Sequence, residues 1–261
     1  PATPSVTVKL SGRSGIDTLA DVDVSPITTG TIRWIEPDTL LTGVGDKQYE
    51  AEFTPNSSNY KKAIIKITVT VLDVTGPTIT VKQNPHEVEA NKEGNYLDLA
   101  KTNYTAVDNI SEQDEITFVR YEGTVNMGTV GTYEVYYFVK DGSGNETKSE
   151  MVTVKVVDNT APTLKFKEDA ENVTEDGTTM NMTLKYGVGY NENAVKAMMT
   201  PWDNTDIELE IERFYDDETT SFPSANKPGD YVMKYYVRDG VKSSNVLTVR
   251  IKVLEKAPNI M

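Results

Sequence analysis

Cysteine is absent from the 261 residues, and histidine occurs once, at His86. The first absence removes disulfides as a source of stability. Together they remove a zinc site of the Cys/His kind and a nucleophile–histidine pair of the usual hydrolase type. His86 sits in Asn84-Pro85-His86-Glu87, a setting that predicts an exposed turn rather than a general base. Positive charge is also short: 26 Lys and Arg stand against 40 Asp and Glu, for a net charge of −14 without any basic run. That balance argues against nucleic acid and anionic membrane as partners. No apolar stretch is long enough to cross a bilayer, so no membrane insertion is expected within this segment. No signal peptide is visible and the chain starts at Pro1, as a processed or excised segment would. Apolar residues make up only 38%, a mixture that suits small sandwiches with much surface for their core.

What the chain does have is one phrase used three times. Val69-Thr70-Val71-Leu72-Asp73-Val74-Thr75-Gly76-Pro77, Val154-Lys155-Val156-Val157-Asp158-Asn159-Thr160-Ala161-Pro162 and Ile251-Lys252-Val253-Leu254-Glu255-Lys256-Ala257-Pro258 each run from an alternating strand through an acidic residue and a short polar hinge to a proline. Pro77 and Pro162 are 85 residues apart, and Pro162 and Pro258 are 96 apart, intervals of one small β-sandwich. The fold class expected is therefore all-β, with three tandem Ig-like sandwiches in an elongated arrangement: domains 1–75, 76–160 and 161–261. Proline fixes φ and restricts the residue before it, so the joints at about Asp73–Pro77 and Asp158–Pro162 should be semi-rigid.

The second and third repeats align without a gap over Gly131–Gly142 and Gly229–Gly240. Period-two alternation turns Tyr133, Val135, Tyr137 and Val139 to one face, and Tyr231, Met233, Tyr235 and Val237 likewise. Asp141-Gly142 and Asp239-Gly240 supply turn chemistry, the glycine accepting positive φ and the aspartate bonding local backbone, and lead into closing strands at 152–156 and 249–253. Upstream, Thr105-Ala106-Val107-Asp108-Asn109 matches Thr200-Pro201-Trp202-Asp203-Asn204. Strands are expected to follow at Ile116–Val119 and Ile207–Ile211, and short helical turns to precede at Leu97–Ala100 and Ala194–Met199, the latter capped by Asn191 or Asn193. In the first repeat Gly30–Trp34, Tyr49–Pro55 and Ala63–Val71 read as strands, with Trp34 against the sheet. Tyr133 and Tyr231, each just after the start of a late strand, hold the place of a tyrosine corner.

Here the residues carry a likeness. Gly-x-Tyr followed by an alternating strand, Val-x-Asp-Gly, a second strand and Asp158-Asn159-Thr160-Ala161-Pro162-Thr163 resembles the bacterial immunoglobulin-like repeats of Gram-positive surface proteins, in particular the class related to hyalin repeats, over residues 76–258. Trp34, Phe53-Thr54-Pro55 and Asn59-Tyr60 are similar to another bacterial Ig-like class, over 1–75. The third repeat departs from the pattern with Val241-Lys242-Ser243-Ser244 where Ser-Gly-Asn is usual. The resemblance implies a non-catalytic extracellular module of a bacterial cell-surface protein, a spacer or adhesive arm. The alternative it leaves open is an accessory, carbohydrate-binding region of a secreted polysaccharide-degrading enzyme. Partners would be other domains of the same protein and a host or cell-wall glycan or protein, with the chain itself a monomer.

No cofactor is required by this reading, and calcium is the small ligand that the sequence suits best. Hard cations want several oxygens, and Asp108, Asn109, Asp114 and Glu115 offer four within eight residues. Asp203, Asn204 and Asp206 repeat the idea, and the hinge residues Asp73 and Asp158 can add oxygens. Asp-Asn clusters are also ordinary turn formers, and that plainer reading is preferred at this point. The outward aromatics Tyr136, Phe138 and Tyr236 offer a sugar-stacking face or, as preferred here, cross-strand packing.

Overall fold

A computed structural model describes residues 5–10, 18–24, 29–41, 43–108 and 115–258. The chain is all-β, three tandem Ig-like sandwiches with two short α-helices and one 3-10 turn among the described residues. Its contacts gather into two compact units, one of Pro1–His86, Tyr96–Val125 and Tyr133–Val154, the other of Glu87–Asn95, Asn126–Thr132 and Lys155–Met261.

In the first unit, strands β1 (Ser5–Leu10), β2 (Gly30–Trp34), β3 (Gly45–Pro55) and β4 (Ala63–Asp73) form a sheet of order β1-β4-β3-β2. The pair β3–β4 is antiparallel, whereas β1 lies parallel to β4. Alternation along β4 places Ile67, Val69 and Val71 fully inside, where they pack with Leu19, Leu41 and Ala51. Trp34 is buried as expected, and its indole N–H donates to the Val22 carbonyl at 3.2 Å, which removes the cost of burying that polar group.

The next sandwich opens with β5 (Thr78–Val81), β6 (His86–Glu89), helix α1 (Leu97–Thr102) and β7 (Tyr104–Val107). It continues with β8 (Thr117–Glu122), β9 (Gly131–Lys140), β10 (Glu146–Lys148) and β11 (Val152–Val157). β5 pairs with β7, and the larger sheet has the order β10-β9-β11-β6, with β8 also on β9. Val135, Tyr137 and Val139 are fully buried on the expected phase. Two expectations need correction. His86 is not an exposed turn residue: it begins β6, is buried, and its Nδ1 lies 2.6 Å from the Tyr96 hydroxyl. The cause is a polar chain inside the core, in which the Tyr96 hydroxyl meets that of Tyr137 at 2.7 Å and Asn103 Nδ2 donates to the Tyr137 hydroxyl at 3.0 Å. The positive-φ glycine of the following turn is Gly144, not Gly142, because Asp141 and Asn145 close the turn upon each other.

In the second unit β12 (Thr163–Phe166) pairs with β14 (Met199–Trp202). β13 (Thr179–Leu184), β17 (Leu247–Val253), β16 (Gly229–Tyr236) and β15 (Glu212–Phe214) lie in that order, β13 parallel to β17 and the rest antiparallel. Their core holds Leu164, Met233, Tyr235, Val237, Leu247, Val249 and Ile251. Helix α2 (Glu192–Lys196) is capped by Asn191, whose side chain accepts from the Ala194 amide at 3.1 Å. The Tyr231 hydroxyl donates to the Lys227 carbonyl at 2.8 Å, the tyrosine-corner bond expected of it. The strand expected at Ile207–Ile211 is corrected to Glu212–Phe214. Leu209 and Ile211 do pack on the core, but the ladder with β16 begins only at Glu212. One-sided burial produced the alternation, and a strand needs a paired neighbour as well.

Candidate metal centres

The oxygen-rich segments of the two aligned repeats end up in similar places, with different partners from those their spacing suggests. Asp73 is the last residue of β4, Asp108 follows β7, and Asp141 follows β9. One ligand oxygen from each lies within 4.8 Å of the others. In the second unit Asp158 follows β11, Asp203 follows β14, and Asp239 comes three residues after β16, and these three meet the same limit. Each trio thus takes one aspartate from the end of a closing strand, one from the strand that pairs with the next sandwich's first strand, and one from a late hairpin turn.

Local hydrogen bonds hold these side chains. Asp73 Oδ1 accepts from the backbone amide and hydroxyl of Thr75, both at 3.1 Å. Asp203 Oδ2 accepts from the amide and hydroxyl of Thr205. Asp239 Oδ1 accepts from the amides of Val241 and Lys242, both at 2.6 Å. In all three residues the second oxygen (Asp73 Oδ2, Asp203 Oδ1, Asp239 Oδ2) is buried and has no hydrogen-bond partner. The residues are 7%, 1% and 7% exposed, so water is largely shut out. Asn204 Oδ1 is in the same condition, while its amide donates to the Ala90 carbonyl at 3.0 Å.

Carboxylates so placed repel one another. At 4.8 Å, each pair of full charges costs about 3.5 kcal/mol at an effective dielectric near 20. Among the described residues no lysine or arginine forms an ion pair with Asp73, Asp141, Asp158, Asp203 or Asp239. Lys242 comes near but spends its ammonium on the Asn159 carbonyl.

Of the residues singled out from sequence, then, Asp108 and Asp203 each enter a trio. Asn204 adjoins the second, and the Glu115 side chain lies beside Gly142, next to Asp141. Asp206 does not enter: its carboxylate packs on Gly128, and its amide donates to the Gly128 carbonyl at 2.7 Å. Asn109 and Asp114 fall outside the described residues. The hinge residues Asp73 and Asp158 each lie in a trio. Asp141 and Asp239, which the sequence places in turns, join them, and their signal is the Val-x-Asp-Gly that recurs in both repeats at the end of the strand that carries the core.

Both hinges are held by side chains. Asn145 Nδ2 donates to the Asp73 carbonyl at 3.2 Å. Glu89 accepts from the Asn159 amide at 2.7 Å and from the Thr160 hydroxyl at 2.9 Å. Burial alone would raise the Glu89 carboxyl, but those bonds and the Asn159 and Asn204 side chains outweigh it and hold it below the ordinary 4.5. The outward aromatics are covered, as preferred from the sequence. Arg120 stacks on Phe138 at 3.9 Å, Lys148 on Tyr136 at 3.8 Å, and Phe214 packs edge-on to Tyr236.

No protein-family model matches the chain, and no curated protein matches it. Among solved structures, it is similar to the human desmocollin-1 ectodomain at 10% identity, covering 96% of this chain and 59% of that one, with a TM-score of 0.33. Against Drosophila N-cadherin EC1-4 the values are 12%, 97%, 74% and 0.29. For the protocadherin GammaB4 extracellular domain they are 12%, 97%, 49% and 0.28, so the chain spans about half of that protein's length. Scores this low do not establish a shared arrangement over the whole chain.

Proposed function

We propose that the chain is a non-catalytic module of an extracellular bacterial surface protein, built from domains 1–75, 76–160 and 161–261 and serving as a spacer or adhesive arm. The observation that carries this reading is the repeated hinge. Twice a closing strand passes into the next sandwich's first strand through four or five residues, from Asp73 to Thr78 and from Val157 to Thr163, and twice neighbouring side chains hold that passage. A hinge so tethered transmits direction, which a spacer needs and a single-core enzyme does not. The likeness to Gram-positive Ig-like repeats supports the same assignment. The spacer is favoured over a carbohydrate-binding accessory region because cations cover the rings of Tyr136 and Phe138, which a sugar would have to stack upon.

Pulling single molecules by their ends tests the modular reading. Three unfolding events are expected, each releasing about 300 Å of chain for a repeat of some 85 residues. One all-or-none event would refute it. A glycan array probed with the full chain separates the two roles: glycan binding lost on Tyr136→Ala would favour the accessory region instead.

A further inference from the structure

We infer that the two aspartate trios, Asp73–Asp108–Asp141 and Asp158–Asp203–Asp239, are calcium sites, one in each compact unit. Size comes first. Two oxygens each about 2.4 Å from one calcium ion can lie no more than about 4.8 Å apart, and each trio falls within that limit. The chemistry agrees: every donor is a carboxylate oxygen, which suits a hard cation and not one that prefers nitrogen or sulfur.

The decisive observation is the set of buried oxygens without partners. Native structures rarely leave such atoms unmet, and a bound ion is one of the few explanations for them. Here they occur on Asp73, Asp203 and Asp239, residues at least 93% buried. In each, one oxygen is committed to the adjoining turn, so the other is what the residue has to offer a cation. The trios themselves stand at equivalent points of two sandwiches and share no residue. Each trio holds at least one such oxygen, on the hinge residue of the first and on the strand-end and turn residues of the second.

Calcium takes six to eight oxygens, and bidentate carboxylates with water complete the shell. In the second unit Asn204, the residue after Asp203, has a buried Oδ1 without a partner, and Glu115 lies against Gly142 beside the first trio. The consequence is structural. Asp73 and Asp158 begin the two hinges, so an ion in each trio fastens a hinge to the strand ends of the following sandwich, and hinge order becomes calcium-dependent. This inference does not rest on the spacer reading, since it concerns stoichiometry and local order.

The test is equilibrium dialysis of the full chain against calcium after removal of metal with EDTA, paired with hydrogen exchange. Two calcium ions per chain are expected. Asp141→Asn should leave one, Asp239→Asn one, and the double variant none. Asparagine keeps the acceptor of the turn amides, Oδ1 at both positions, and at Asp141 gives up only the bond from Asn145 Nδ2, so the fold should survive, as circular dichroism in EDTA would verify. At calcium 100 times its Kd, the Thr75 and Thr160 amides should exchange about 100-fold more slowly than in EDTA. In EDTA Asp239→Asn should melt no lower than the parent, because it removes a repelling charge and keeps the Oδ1 acceptor of the Val241 and Lys242 amides. Failure to bind calcium at about 5 mM, beyond the weak end of extracellular calcium modules, would overturn the inference. So would unchanged stoichiometry in the variants, or variants destabilised equally with and without calcium, which is the behaviour of turn formers alone. Preferential uptake of magnesium would overturn the assignment to calcium. Where an asparagine variant fails to fold, Asp73→Asn and Asp158→Asn, in the hinges, carry the same stoichiometric test.

Discussion

Removing one oxygen atom, by Tyr137→Phe, probes the polar chain inside the β9 sandwich. The ring remains, with its contacts to Phe118 and Tyr104 at centroid distances of 6.1 and 6.4 Å, so almost no cavity forms. What goes is the hydroxyl that meets Tyr96 at 2.7 Å and Asn103 at 3.0 Å. Neither neighbour is stranded outright. Tyr96 keeps His86 at 2.6 Å, and Asn103 Nδ2 keeps the Gln83 carbonyl at 3.0 Å. Two neutral hydrogen bonds at about 1 kcal/mol each, plus part of the desolvation of two buried groups, give a loss of about 2–3 kcal/mol. Burial, and then the Tyr137 bond itself, push the Tyr96 phenol far above its ordinary range, so that group stays protonated throughout the experiment. Native-state hydrogen exchange at Val135–Val139 reads the effect locally, as protection reduced about 30- to 160-fold. A double-mutant cycle with Tyr96→Phe should give a coupling energy of about 1 kcal/mol. A loss under about 0.5 kcal/mol with no coupling would refute the chain as a source of stability.

Two further predictions concern the His86 end of that chain and a pair of glycines. Burial holds the His86 imidazole below its ordinary 6.5, so the unfolded chain takes up a proton that the folded chain refuses. Stability should therefore be complete above pH 6.5 and fall as pH drops below it; denaturant midpoints between pH 5 and 7.5 should show this slope, and His86→Gln should abolish it. Gly123 and Gly177 both have positive φ, of 115° and 71°, but a Cβ on Gly123 would overlap the Glu134 carbonyl oxygen and lie 3.1 Å from Val135 Cα, whereas Gly177 has open space. Gly177→Ala should cost about 1–2 kcal/mol and Gly123→Ala clearly more, measured by urea unfolding, and equal costs would contradict the backbone clash.

Much of the β architecture could be read in one dimension, because strand burial has a period of two. The phase that set Val135, Tyr137 and Val139 inside needed no partner to be visible, and neither did the strand-hinge-proline phrase or the Asn191 cap. Strand existence was less secure where a partner decides it: Leu209 and Ile211 alternate as a strand does, yet the ladder starts at Glu212. His86 misled for a related reason. Its turn-like neighbours are local, while Tyr96, which buries it, is ten residues on and acts together with Tyr137 and Asn103.

The candidate site divides in the same way. Sequence alone determined that aspartates cluster after strand ends, that they recur in register between repeats, and that neither cysteine nor histidine accompanies them. Only the tertiary structure decided which of them meet. Spacing grouped Asp108 with its immediate successors and Asp203 with Asp206, but carboxylates converge in space through strand pairing, and pairing brings together the ends of strands far apart in the chain. Asp73, Asp108 and Asp141 are separated by 35 and 33 residues, so no local window contains them. Burial of the unpartnered oxygens of Asp73, Asp203 and Asp239 is likewise a property of the packed sandwich, because it is made by neighbours distant in the chain.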